Sequence, residues 1–238
     1  MHTRLDTVVI PSPDLTLRED ELPGSRRRLL SRAVAEADAA GARRAVVVGP
    51  NMPVFDTGGM EVVRVAASEG SSPGAALSAA RTHVGPGPIG IILPDHVIEG
   101  GCCLGEMSEA YMRVGAGHLA GVKPVSCKAT ALYGIVDPLT TIGMGPVLRT
   151  VGIVEKPGPA NAPSRLAVVG RYILHPRILS DLSARRDRCL TGAISDGIGR
   201  VGLMAFRIEA PHRDAALRDQ PKPAVYGSAA TALLPAAE

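Results

Sequence analysis

The sequence predicts a single α/β domain built on a largely parallel sheet, and three observations carry that prediction. Short runs of β-branched and apolar residues alternate with segments of helical period. The first trio, Thr7–Ile10, Ser25–Ala40 and Ala45–Val48, reads as strand, helix and strand, the βαβ unit of a parallel sheet. The length, 238 residues of which 45% are apolar, suits one domain over residues 1–238 with a sizeable core.

Each element has a local reason. Thr7–Ile10 ends at Pro11, and Ser25–Ala40 runs from a serine N-cap to Gly41, with Leu29, Leu30, Ala33, Val34 and Ala37 on one face. Glu61–Val65 is a weaker strand and Gly74–Arg81 a short alanine-rich helix. Ile89–Leu93 is apolar on both faces, as a central strand should be. Gly105–Val114 reads as helix, and Ala131–Val136, Thr150–Val154 and Arg165–Leu174 as strands. Pro176–Arg186 and Leu190–Ile198 follow as helices, Val201–Ile208 as a late strand and Val225–Leu234 as a last helix. Gly and Pro cluster at Gly49–Pro53, Gly85–Pro88, Gly143–Pro146 and Pro157–Pro163; each cluster is short and reads as a loop within one domain.

Composition argues against several function classes. There is no Trp, and only two Phe and four Tyr, too few platforms for stacking nucleic-acid bases. The basic clusters Arg26–Arg28, Arg43–Arg44 and Arg185–Arg188 read as solvated helix faces, and the net charge is only +3. Cys102, Cys103, Cys127 and Cys189 lack zinc spacing and read as reduced thiols of a cytoplasmic protein. The N-terminus lacks the apolar core of a signal peptide, and no run approaches the ~20 apolar residues that span a bilayer.

Three stretches carry more specific information. Asp95 follows a buried strand in Ile91–Ile98 (IILPDHVI), which puts it at the carboxyl edge of the sheet, where α/β folds bind ligands. It is there either to hold a cation through carboxylate oxygen or to cap the turn at Pro94. Tyr133–Val136 (YGIV) contains Gly134, which either lets backbone approach a ligand or marks a strand bulge. Val151–Leu174 (VGIVEKPGPANAPSRLAVVGRYIL) places Glu155 and Lys156 at a strand end. Together these two could bind sugar hydroxyls and a phosphate; alone they are an exposed ion pair of little worth.

In order and separation these segments resemble the bacterial UTP–glucose-1-phosphate uridylyltransferases, strongly over Ile89–Leu179 and weakly towards 5 and 235. The resemblance implies a Rossmann-like, GT-A-like nucleotidyltransferase fold, a three-layer α/β/α sandwich with a mixed, mostly parallel central sheet. It implies formation of an NDP-sugar and pyrophosphate from a nucleoside triphosphate and a sugar-1-phosphate. Asp95 and Asp214 would then hold Mg²⁺, and Arg18 and Lys156 would serve the reacting phosphates. Gly74, Tyr133, Gly134, Glu155, Lys156, Gly170 and Arg218 would line the substrates. It further implies a homo-oligomer, or a hetero-oligomer if an active paralogue accompanies the chain.

The chain also departs from the family. The glycine-rich loop expected after the first strand is replaced by Pro11-Ser12-Pro13-Asp14-Leu15-Thr16-Leu17-Arg18, which keeps only the arginine. Pro13 removes a donor and Asp14 adds negative charge where triphosphate would lie. The following lysine is missing, with Arg26, Arg27 and Arg28 as stand-ins. Ser71–Ala76 keeps one glycine of the base-reading segment, Gly192 replaces an aspartate, Arg165 an asparagine, and Ala216 a glycine of the segment His212–Arg218, which otherwise reads as a surface helix turn. One preorganised donor is worth ~2.7–4 kcal/mol, so losing two without replacement slows chemistry roughly 10⁴-fold or more. A catalytically impaired homologue that binds a sugar phosphate as a partner subunit is therefore the competing expectation.

Overall fold

A computed structural model of the chain describes residues 5–12, 25–50, 52–68, 72–100, 102–115, 117–139 and 145–215. Arg18, Arg218 and the expected helix Val225–Leu234 lie outside these residues.

The first half is wound as its periodicity predicts. Strand β1 (Thr7–Pro11) is buried throughout, helix α1 (Ser25–Ala39) crosses over, and β2 (Arg44–Gly49) returns parallel to β1. Then come β3 (Glu61–Ala66), parallel to β2, helix α2 (Pro73–Ala79), and β4 (Ile89–Ile92), parallel to β1. Ser72 caps α2, its hydroxyl accepting from the Ala75 N–H, and Pro73 stands at the first helical position, where its missing N–H costs nothing. A three-residue strand, β5 (His96–Ile98), precedes helix α3 (Cys103–Val114).

The second half turns strands against this direction. It comprises β6 (His118–Pro124), β7 (Gly134–Pro138), β8 (Val147–Glu155), β9 (Leu166–Leu174), α4 (Ile178–Ala184), α5 (Leu190–Val201), β10 (Leu203–Arg207) and β11 (His212–Asp214). The nine-stranded sheet has the order β3-β2-β1-β4-β9-β6-β10-β8-β7, and β11 pairs with β5 outside it. Following the pairings, β8 and β9 oppose the other seven strands. One apolar cluster packs α2, α4 and α5 on one face, and a second packs α1 and α3 on the other, giving three layers.

Several boundaries differ from expectation. Strand β6 carries no strand signal because Gly121 interrupts it and Pro124 ends it. Gly121 is needed: an added Cβ would lie 2.7 Å from Ile208 Cδ1 and 3.2 Å from Arg171 Cβ, and the β6–β9 register shifts there. The expected strand over Ala131–Val136 begins only at Gly134, after a single 3₁₀ turn at Lys128–Ala131. His212–Asp214 is strand rather than helix turn, because it finds a partner in β5.

Candidate functional site

The candidate site lies where the parallel strands β1, β2 and β4 end. After β4 the chain turns at Leu93-Pro94-Asp95, closed by the His96 N–H donating to the Leu93 carbonyl at 3.2 Å. Strand β11 lies antiparallel on β5 with Asp214 opposite His96, and the Ala215 N–H donates to the Asp95 carbonyl at 2.7 Å. Two segments far apart in sequence thus bring both predicted acidic residues together. One ligand atom from each of Asp95, His96 and Asp214 falls within a common 4.8 Å.

A buried arginine holds this turn from behind. Arg171 is 3% exposed and grips the Glu36 carboxylate of α1 with two nitrogens, at 2.9 and 2.8 Å. Its remaining terminal nitrogen donates to the carbonyls of Leu93, His96 and Gly170 at 3.3, 3.0 and 3.3 Å. Beside it, a cavity of about 280 Å³ opens between α1 and the turn, lined by Arg32, Glu36, Pro94, His96, Cys102 and Arg171.

His96 is fixed on every side. Its Nδ1 lies 3.0 Å from His212 Nε2, the two rings stack at 5.2 Å, and the Tyr133 ring meets it edge-on at 5.9 Å. Gly170, at φ +67°, makes room: an added Cβ would stand 2.8 Å from His96 Cβ. What approaches Gly170 most closely is therefore His96. Burial pushes the His96 imidazole below its usual range, against the opposing effect of Asp95 and Asp214. His212 is driven down to about 3, by burial first and then by His96, Arg171 and Lys123.

The second cluster adjoins the first through Tyr133. The Lys156 N–H donates to the Tyr133 carbonyl at 3.1 Å, and Lys156 adopts φ +45°, a left-handed conformation rare for a side-chain-bearing residue. Gly134 pairs with Glu155 across β7 and β8. A Cβ at Gly134 would stand 3.4 Å from Glu155 Oε2 and 3.5 Å from Thr191 Oγ1, so a carboxylate and a hydroxyl both overlook its open face. Glu155 and Lys156 are exposed. Between the clusters, the Tyr172 phenol is buried and pushed above its usual range, chiefly by desolvation and further by the charges of Glu155, Cys189 and Asp95. Asp95 and Glu155 are thus both close enough to act electrostatically on one buried phenol.

Other predicted residues sit differently. Gly74 is buried beneath the Arg188 backbone: an added Cβ would lie 2.1 Å from the Arg188 carbonyl oxygen. Arg26 donates to Ser12 Oγ at 3.2 and 3.1 Å and to the Pro50 carbonyl at 2.8 Å, which puts a guanidinium beside the ends of β1 and β2, while Arg27 and Arg28 are exposed. The Arg185 guanidinium occupies the open side of Gly192, with Nη2 2.5 Å from where a Cβ would be, and is held by Asp187 and Asp196. The four cysteines are free; Cys103 is pushed up to about 12, mainly by burial, so it stays a thiol. Sequence reasoning missed His96, His212, Thr191 and the Glu36–Arg171 pair. The first three lie inside segments already singled out, and an Asp-His beside a His-x-Asp was the available signal.

Two carboxylates and an imidazole form a donor set suited to a divalent cation. Among the described residues no helix is long and apolar enough to cross a membrane.

No protein-family model matches the chain. A UTP–glucose-1-phosphate uridylyltransferase of Komagataeibacter xylinus is 35% identical over 152 residues, 60% of this chain and 52% of that protein. A second from Staphylococcus saprophyticus is 35% identical over 113 residues, 47% of this chain and 38% of that protein. The chain thus spans about half the length, or less, of these curated relatives. Among solved structures, a UDP-glucose pyrophosphorylase complexed with UDP-glucose superposes with a TM-score of 0.78 at 21% identity, covering 89% of this chain and 94% of that one. The UTP-bound enzyme of Acinetobacter baumannii gives 0.76 at 23% identity, covering 90% of both chains. The chain is a sequence relative of the UTP–glucose-1-phosphate uridylyltransferases over about half their length, and it carries the Rossmann-like nucleotidyltransferase fold.

Proposed function

We propose that the chain is a nucleotidyltransferase that joins a nucleoside triphosphate and a sugar-1-phosphate into an NDP-sugar, with UTP and glucose-1-phosphate as first candidates. The observation that carries the reading is the meeting of Asp95 and Asp214 across β5 and β11, next to the Tyr133–Lys156 cluster. In the reaction, a phosphate oxygen of the sugar-1-phosphate attacks the α-phosphorus of the triphosphate. The bond to the β-phosphate breaks and pyrophosphate leaves, so the protein's task is positioning and charge neutralisation. A divalent cation, Mg²⁺ by resemblance, would lower the charge on the phosphates when bound at Asp95 and Asp214.

Lys156 neutralises the sugar phosphate with an exposed side chain just past the end of β8. Glu155 accepts from sugar hydroxyls above Gly134, with Tyr133 beside it and Thr191 as a further donor. Arg26 brings positive charge to the edge where the missing lysine would act. Arg18 and Arg218 keep their roles at the triphosphate and substrate as part of this proposal, as do Gly74 and Gly170 as contacts. The working form is a cytoplasmic homo-oligomer. A coupled pyrophosphate-release assay with several triphosphates and sugar-1-phosphates tests the reading; turnover no higher than in Asp95→Ala rejects it.

One observation favours a non-catalytic partner subunit instead. Gly192 stands where the relatives' pattern has aspartate, and Arg185 fills the space. In that case calorimetry detects a sugar phosphate or NDP-sugar but no UTP, whereas tight cation-dependent UTP binding excludes it.

A further inference from the structure

We propose that His96 is a third ligand of the divalent ion, and that its imidazole turns the site from Mg²⁺ towards Mn²⁺, Co²⁺ or Zn²⁺. The inference rests on the reading of Asp95 and Asp214 as metal residues and concerns the imidazole that lies beside them. Ligand atoms of Asp95, His96 and Asp214 already lie within 4.8 Å of one another. An ion with bonds of ~2.0–2.2 Å separates opposite ligands by up to about 4.4 Å, so small side-chain shifts suffice.

The ring is also held as a metal-bound histidine should be. His212 Nε2 engages His96 Nδ1 at 3.0 Å, leaving Nε2 as the ligand atom. With a metal on Nε2, the His96 Nδ1–H donates to His212 Nε2, which makes His212 a positioning residue. Stacking on His212, the edge of Tyr133 and the cradle at Gly170 fix the ring plane. The carbonyl of His96 is pinned by Arg171 at 3.0 Å. A cavity of about 280 Å³ adjoins the turn and is lined by His96, though not by Asp95 or Asp214.

The chemistry then decides the ion. Mg²⁺ demands near-ideal octahedral oxygen coordination and dehydrates reluctantly, whereas imidazole suits first-row transition metals. One neutral nitrogen beside two carboxylates favours the borderline ions without excluding oxygen-bound substrate phosphates.

The test uses the full chain stripped of metal and titrated calorimetrically with Mn²⁺, Co²⁺ and Mg²⁺ separately. Mn²⁺ is expected to bind at least about tenfold more tightly than Mg²⁺, with nitrogen hyperfine coupling in the pulsed electron-spin signal of the bound ion. His96→Asn should abolish that coupling and the preference while leaving Mg²⁺ affinity within a few-fold, and His212→Asn should weaken Mn²⁺ about tenfold. Equal affinities for Mn²⁺ and Mg²⁺ without nitrogen coupling in the unaltered protein overturn the inference, whatever the variants do. If Asp95→Asn abolishes binding but His96→Asn changes nothing, only the histidine's role fails. If none of the ions binds, the acidic pair's role falls with it.

Discussion

Arg171 on β9 and Glu36 on α1 form a two-point ion pair, at 2.9 and 2.8 Å, and the same guanidinium holds the carbonyls that flank Asp95. The pair links the helix of the first βαβ unit to the turn that carries the acidic site. Its side chains are 4% and 13% exposed, so water does little to screen it.

Removing one partner strands the other charge in the interior. Arg171→Met should destabilise the fold by about 3–5 kcal/mol, measured by urea unfolding. The double variant Arg171→Met, Glu36→Leu should recover much of that loss, since a buried pair is often replaceable by apolar side chains. Recovery of stability without recovery of cation binding would separate the pair's packing role from its hold on the turn.

Gly170 and Gly158 allow a paired comparison. Both have positive φ, +67° and +74°, but an added Cβ meets His96 at Gly170 and nothing within 4 Å at Gly158. Gly158→Ala should cost only the left-handed conformational term, about 1–2 kcal/mol. Gly170→Ala should cost about 1–3 kcal/mol more from overpacking and should lower cation affinity. Equal unfolding midpoints for the two variants would show that the His96 ring yields freely.

Acid should weaken the fold through His118. This residue is 1% exposed and its pKa is lowered from 6.5 to about 4, first by burial and then by His175, against the pull of Asp181. Its Nδ1 accepts the His175 N–H at 3.3 Å. Because the folded-state pKa is depressed, the unfolded chain takes up the proton first. The contribution is fully present above 6.5 and is lost as pH falls towards 4, up to about 3 kcal/mol. Urea midpoints at a series of pH values should fall across this window, and His118→Asn should make the slope shallower, leaving the share owed to the buried His96 and His212.

Lys156 should matter to one substrate more than the other. Lys156→Met removes an exposed charge, so stability should change by less than about 0.5 kcal/mol. On the proposed function, KM for the sugar phosphate should rise about tenfold to a hundredfold, the value of a charge-assisted hydrogen bond, with KM for the triphosphate little changed. Equal effects on both substrates would move Lys156 away from the sugar phosphate.

The parts of the site that were legible in the sequence are those fixed by local chemistry. Asp95 follows a strand that is apolar on both faces, and Gly134, Glu155 and Lys156 sit in a long segment whose turn residues announce a strand end. The Asp-His and His-x-Asp segments were visible, but that their histidines meet was not, because it depends on β5 and β11, three residues each, pairing across 116 positions. Strands that short carry no period. Strand β6 was hidden for a different reason: its Gly121 serves a neighbour in the core rather than its own backbone. Arg171 reads as a polar interruption of a strand, and only the Glu36 carboxylate makes its burial affordable.

The close fit of Gly121 has a consequence for what can be replaced around it. The atom of Arg171 that it accommodates is Cβ, which any residue but glycine would keep, and Ile208 Cδ1 would come closer still. The notch in β6 is therefore independent of the charge it borders: the ion pair can be exchanged, the glycine cannot. Apolar replacement at both charged positions should leave Gly121→Ala as poorly tolerated as it is in the parent chain, which unfolding measurements on the combined variants can read directly.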